Sequence, residues 1–97
     1  MKVYISGQIT GLPIDEAFQN FKDCDQAMQD AGHETVNPFN VLPFDKSFTW
    51  KDYMKADIKA LVDCDAIIMI KGWPNSKGAL LELNIAVHLG LKIFHHE

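Results

Sequence analysis

The sequence predicts a single α/β domain built on a small parallel sheet, and three observations lead there. Short β-branched or aromatic runs alternate with longer stretches whose apolar residues recur every three or four positions, giving the order β-α-β-α-β-α-β across residues 1–97. The run "DAIIMI" (65–70) is continuously apolar, the pattern of a strand covered on both faces. A chain of 97 residues can bury one core but not two.

Taken in order, "KVYIS" (2–6) reads as a strand stopped at Gly7, and "GQITGLP" as the loop that follows. From Asp15 the residues Phe18, Phe21, Cys24, Met28 and Ala31 mark one face of an amphipathic helix, with Gly32 placed as its C-terminal cap. "HETVNP" gives a second strand stopped by Pro38, and the segment to Ser47 is a loop. Thr49 caps a second helix running to about Val62, and Asp52 stands three residues on in a capping-box position. After the apolar strand, "GWPNSKG" is a loop, "ALLELNIAVHL" a third helix ended by Gly90, and "LKIFH" a last strand. Strands alternating with single helices imply right-handed crossovers and helices on both faces. The expected architecture is therefore a small flavodoxin-like (Rossmann-like) domain with four parallel strands. Such sheets bind ligands beyond the C-terminal strand ends, where the strand order reverses. "SGQITG", "NPFN" and "KGWPNSKG" are the segments expected to converge there.

With 47% hydrophobic and 23% charged residues the chain has the balance of a globular domain rather than a disordered one. A net charge of -4 supplies no basic field for a nucleic acid polymer. No apolar run approaches the ~20 residues of a membrane span, and Met1 runs directly into a strand without a signal segment, so the cytoplasm is the expected location. Cys24 and Cys64 lack metal spacing and are expected to be reduced.

Two carboxylates break the apolar pattern. On the third helix Glu82 has Gly78, Ala79, Ile85 and Ala86 as its three- and four-residue neighbours; on the second, Asp57 has Tyr53, Met54, Ala60 and Leu61. A carboxylate on a core-facing stripe loses several kcal/mol of solvation unless it is paired or opens onto a polar cavity. Two of them on helices flanking one crevice suggest a shared cavity. The simpler alternatives are a rim position for Glu82, reaching solvent or Lys77, and a surface salt bridge from Asp57 to Lys51, Lys55 or Lys59. Gly78 and Ala79 open a helix N-terminus that favours an anion, to which Ser76 adds a hydroxyl. Trp73, beside Pro74, either stacks on a base or covers the core. His95, His96 and Glu97 are adjacent on a strand, so their side chains diverge and no metal site is expected. His33 reads as a turn residue and His88 as a helix-surface residue.

The segments "VYISGQITG", "AGHETVNP", "DYMKADIKALVDCDAIIMI" and "GWPNSKGALLELNIAVHLG" together resemble the nucleoside 2-deoxyribosyltransferase superfamily over essentially the whole chain, and most closely its short bacterial and phage members of unknown function. The resemblance implies that Glu82 is the nucleophile, Asp57 the residue assisting the leaving base, and Tyr4 the tyrosine that orients the nucleophile. Six residues before the nucleophile, Ser76 is similar to the serine of the family's deoxynucleoside 5′-monophosphate N-glycosidases, which contacts the phosphate. The expected substrate contacts are Gly7, Gln8, Ile9 and Gly11 around the 5′ end, Asn37 in the crevice, Trp73 over the base, and Ser76 with Gly78 at the helix N-terminus.

Two departures stand out. Thr10 occupies the place of those glycosidases' phosphate-binding arginine, leaving Lys71 or Lys77 to supply the charge, and the family's C-terminal segment, which completes a neighbouring subunit's site, is not expected beyond Glu97. A homodimer or higher homo-oligomer is expected, burying Phe44, Phe48 and Trp50. The functional expectation is N-glycosidic bond cleavage or (deoxy)ribosyl transfer on a nucleoside or nucleoside 5′-monophosphate through a glycosyl-Glu82 intermediate, without cofactor. Its rival is a non-catalytic nucleotide-binding or sensing module that uses the same pocket.

Overall fold

The structure is a computed structural model and describes residues 1–96. Four strands, β1 (Lys2–Ser6), β2 (Glu34–Val36), β3 (Ala66–Met69) and β4 (Lys92–His95), alternate with three helices, α1 (Ile14–Asp30), α2 (Trp50–Leu61) and α3 (Lys77–Leu89). Short 3₁₀ turns, Pro38–Asn40 and Trp73–Asn75, follow β2 and β3. Every pairing is parallel and the sheet order is β2-β1-β3-β4, so the strand order reverses between β1 and β3. The expected flavodoxin-like topology is the one observed, and its crevice opens beyond Ser6 and Met69.

The termini of the helices follow local chemistry. Thr49 and Asp52 form the reciprocal capping box that starts α2, which ends at Leu61 with Val62 as its cap. On α1, Ala31 is the cap and Gly32 follows it with φ 89°. The third helix begins two residues earlier than its apolar pattern suggests, because the Ser76 hydroxyl accepts the Ala79 N–H and captures the first turn.

The sheet divides the core into two layers. On the α1 face Val3 and Ile5 pack with Phe21, Cys24, Ala66, Ile68 and Ile70; on the opposite face Tyr4 packs with Leu61, Cys64, Ile67, Met69, Ala79 and Ala86. Period-two alternation along β1 therefore turns Tyr4 and Ser6 toward α2 and α3. At the switch point the chain leaving β1 passes close to β3. A Cβ built on Gly7 would lie 2.2 Å from Ile70 Cγ1. We therefore expect Gly7→Ala to destabilise the domain by about 1–3 kcal/mol, the usual penalty of overpacking, measured by urea denaturation. An unchanged midpoint would show that the two strand ends separate freely.

Candidate active site

The residues buried on α3 are Ala79, Glu82 and Ala86, and those on α2 are Met54, Asp57 and Leu61. Both carboxylates thus occupy the core-facing stripes, and Glu82 and Asp57 are only 5% and 9% exposed. Small neighbours make this feasible. A Cβ on Gly78 would stand 3.0 Å from Met54 Sδ, so its glycine lets α3 and α2 approach beside the carboxylates.

Glu82 is held from β1. The Tyr4 hydroxyl donates to Oε2 at 2.5 Å and the Ser6 hydroxyl donates to Oε1 at 2.7 Å. Both donors sit on the same strand face, two residues apart. Asp57 has no such support, since its Oδ1 is buried without a hydrogen-bond partner. Burial pushes the Asp57 carboxyl up to about 7. Burial also raises Glu82 to about 7, opposed by the hydrogen bonds from Tyr4 and Ser6 and reinforced by the nearby Asp57 charge. Two buried carboxyls that repel each other titrate as a pair. The two hydroxyl donors favour the ionised form of Glu82, whereas Asp57 Oδ1 has no donor, and burial raises both carboxyls. Burial, followed by the neighbouring Glu82 charge, raises the Tyr4 phenol well above its ordinary range and keeps it a donor.

Both carboxylates line one cleft of about 730 Å³ at the switch point. Its polar side includes Tyr4, Thr10, Asn75, Ser76 and Lys77, and its apolar side Phe39, Leu42, Phe44, Trp50 and Met54. The structure brings Gly7, Ile9, Ser76 and Gly78 into this lining with the three catalytic candidates. Other expected contacts lie elsewhere. Asn37 is spent on structure, accepting the Phe39 N–H and donating to Asp25. Gln8 reaches back to the Thr10 carbonyl and packs over Gly72, and Gly11 turns with φ 92° outside the lining. Trp73 follows Gly72, which has φ 88°, and its ring packs against the core with its centroid 6.0 Å from that of His95. It lines a separate hollow with Lys71, His95 and His96.

Of the two lysines, Lys77 is the one at the cleft, its Nζ 4.6 Å from the Trp50 ring centroid. The side-chain hydroxyl of Ser76 accepts from Ala79, so its observed role is the helix cap. Glu82 itself stands in the second turn of α3, beyond the reach of the helix terminus. Its ionisation is supported by hydroxyls instead. Ser6 is the contact that sequence reasoning missed, although the alternation that turns Tyr4 inward also selects it. Among the described residues no group of three or more His, Cys, Asp or Glu could hold a metal, and Glu97 of the terminal trio lies outside them.

The sequence matches the family described as domain of unknown function (DUF4406) over residues 1–95. No match to a curated protein was found. Among solved structures the chain is similar to a 2-deoxyribosyltransferase from Bacillus psychrosaccharolyticus, at 20% identity and TM-score 0.75, covering 98% of this chain and 71% of that one. It is similar to the CMP N-glycosidase BcmB of Clostridium botulinum, at 22% and 0.66, covering 98% and 67%. A third is a 2-deoxyribosyltransferase from Leishmania mexicana, at 20% and 0.69, covering 97% and 62%. These identities establish a common fold, the one the sequence resemblance implied.

The raised carboxyl of Asp57 has a consequence for stability. The folded state binds its proton more tightly than the unfolded state, so stability falls as pH rises from about 4 to about 7 and is level above. Asp57→Asn removes that loss. We expect the variant to exceed the wild type by roughly 1–3 kcal/mol at pH 8 and to match it near pH 4, by urea denaturation. A difference independent of pH would rule out a desolvated carboxyl at this position.

Proposed function

We propose that this chain, which belongs to the DUF4406 family, breaks the N-glycosidic bond of a nucleoside or nucleoside 5′-monophosphate through a glycosyl-Glu82 intermediate. The observation that carries the reading is the buried pair in one cleft, one carboxyl held by two hydroxyls and the other left without a donor at Oδ1. That asymmetry gives one ionised nucleophile and one proton donor, the division of labour that two-carboxylate glycosyl chemistry requires.

In the first step a Glu82 oxygen attacks C1′ of the sugar, and the C1′–N bond breaks with its electron pair passing to the base. The Asp57 proton goes to that base, which departs neutral. Tyr4 keeps the Glu82 carboxylate in line. In the second step water, or a second base, attacks C1′ and returns the electron pair to Glu82, while Asp57 recovers a proton from the attacking group. The leaving base would lie against the apolar wall of Phe39, Phe44 and Trp50. Ser76, Gly78 and Lys77 stand where the 5′ end would enter. The acts of the deoxyribosyltransferases and the CMP N-glycosidase that share the fold support this class of reaction.

Incubation with a panel of nucleosides and nucleoside 5′-monophosphates, read by chromatography of free base, tests the proposal. Wild-type release abolished in Glu82→Ala is expected. Binding that survives without release for any member would identify a nucleotide sensor instead, and absence of both would overturn the proposal. The active form carries one proton on the pair, so kcat/KM is expected to be bell-shaped around pH 7, falling in acid as Glu82 protonates and in alkali as Asp57 loses its proton.

Self-association is part of the same proposal. Phe44 is 72% exposed, and Phe48 and Trp50 are exposed beside it. Exposed aromatic side chains of this kind suit a second copy. Sedimentation equilibrium is expected to give at least twice the 11.0 kDa chain mass, and a monomer at all concentrations would remove this part.

A further inference from the structure

One group in this site has no role in the scheme above. Ser6, the last residue of β1, is wholly buried and does not line the cleft. Most side-chain hydroxyls inside proteins turn to backbone groups. This one donates to Glu82 Oε1 at 2.7 Å although Tyr4 already holds Oε2. With one donor on each oxygen, the carboxylate plane is fixed at two points and cannot swing about either bond alone.

We infer that Ser6 is a positioning residue that acts on the second half of the reaction, stabilising Glu82 as it leaves the sugar. The inference rests on the glycosyl-Glu82 reading. In the first step the carboxylate gives an electron pair to C1′ and its negative charge disappears, so a donor on Glu82 makes attack harder. In the second step the water oxygen bonds to C1′, the C1′–O bond to Glu82 breaks with its electron pair returning to the carboxylate, and one water proton passes to Asp57. The charge then reappears on Glu82 in a water-poor site, where a pre-placed O–H is at its most effective. Ser6 therefore speeds release of the glycosyl group while restraining its capture.

The titratable groups facing Glu82 are Tyr4 from β1 and Asp57 from α2, with Tyr53 of α2 and Lys77 of α3 on the same cleft. Tyr4 remains protonated throughout the working range, and Asp57 titrates alongside Glu82. Loss of the Ser6 donor leaves the ionised Glu82 less supported and moves its protonation to higher pH.

The test uses the full chain as wild type, Ser6→Ala, Ser6→Thr and Glu82→Ala, with the nucleosides and nucleoside 5′-monophosphates of the same panel. Thermal melting first establishes that each variant folds. For Ser6→Ala we expect kcat to fall roughly 10–100-fold, the worth of one hydrogen bond to a charged group. KM is expected to fall with it, because the glycosyl-enzyme accumulates, and rapid mixing is expected to show a burst of free base before a slow steady state. The acid limb of kcat/KM is expected to move to higher pH, and Ser6→Thr, which keeps the hydroxyl, to restore both features. If kcat and kcat/KM fall together, without a burst and with the acid limb unmoved, Ser6 is structural only and the inference fails. If Glu82→Ala still releases base, or the wild type releases none, the glycosyl-enzyme reading fails and this inference with it. If Glu82→Ala is silent but Ser6→Ala behaves as wild type, only the assignment of Ser6 is lost.

Discussion

The pair of hydrogen bonds from β1 to Glu82 is the constraint on which the rest of the site depends. A carboxylate placed on the core face of α3 is admissible only if its lost hydration is replaced. Tyr4 and Ser6 supply one donor per oxygen, and both can do so because residues two apart on a strand share a face. This demand fixes the register of α3 over the sheet. Glu82 must meet the end of β1, so Ala79 and Ala86 fall on the sheet face, where small side chains allow close approach. Gly78 then faces Met54, which draws α2 to the same place.

That register also brings Asp57 into the cleft. The crevice of a parallel sheet opens where the strand order reverses, here between β1 and β3. The loop after β1, the segment after β2, α2 and the start of α3 enclose it, and Phe21 of α1 also reaches its lining. The deep end of the cleft is polar and anionic; its outer wall is apolar and aromatic. A sugar-and-base substrate has a matching division, with a reactive centre of developing positive charge and a flat apolar leaving group. The fold alone does not select this chemistry, since flavodoxin-like sheets serve many functions. The burial of two unequal carboxyls is what narrows it.

Periodicity carried the elements and the two carboxylates. A residue such as Glu82 is conspicuous because a period of 3.6 puts it on the same buried stripe as Ala79 and Ala86. Loop residues have no comparable rule. Asn37 lies in a crevice segment, yet its side chain completes the 3₁₀ turn and binds Asp25, a choice set by turn geometry rather than spacing. The direction of Trp73 depends on the left-handed Gly72 before it, which spacing does not reveal. Ser6 escaped because a serine closing an apolar strand looks like a simple boundary, and its significance depends on which helix lies above it. The start of α3 moved for a similar reason, since a capping hydroxyl can capture residues that an apolar pattern does not mark.

A third acid, Asp25, shows what a structural carboxylate looks like in this fold. It accepts from Gln29 at 2.7 Å, Thr35 at 2.5 Å and Asn37 at 3.2 Å, fastening α1 to β2 and the turn beyond it. Burial pushes its pKa up, but the three donors outweigh burial and the net shift is downward. Glu82 has two donors and remains raised; Asp57, with Oδ1 unpartnered, is raised by burial alone. Burial raises all three acids, and only at Asp25 do the donors outweigh it. Since the chain satisfies Asp25 so fully, its failure to satisfy Asp57 does not reflect a shortage of polar groups in so small a domain. The deficit falls at the acid that lines the cleft beside Glu82, where an unpaired buried carboxyl marks a group held at raised proton affinity.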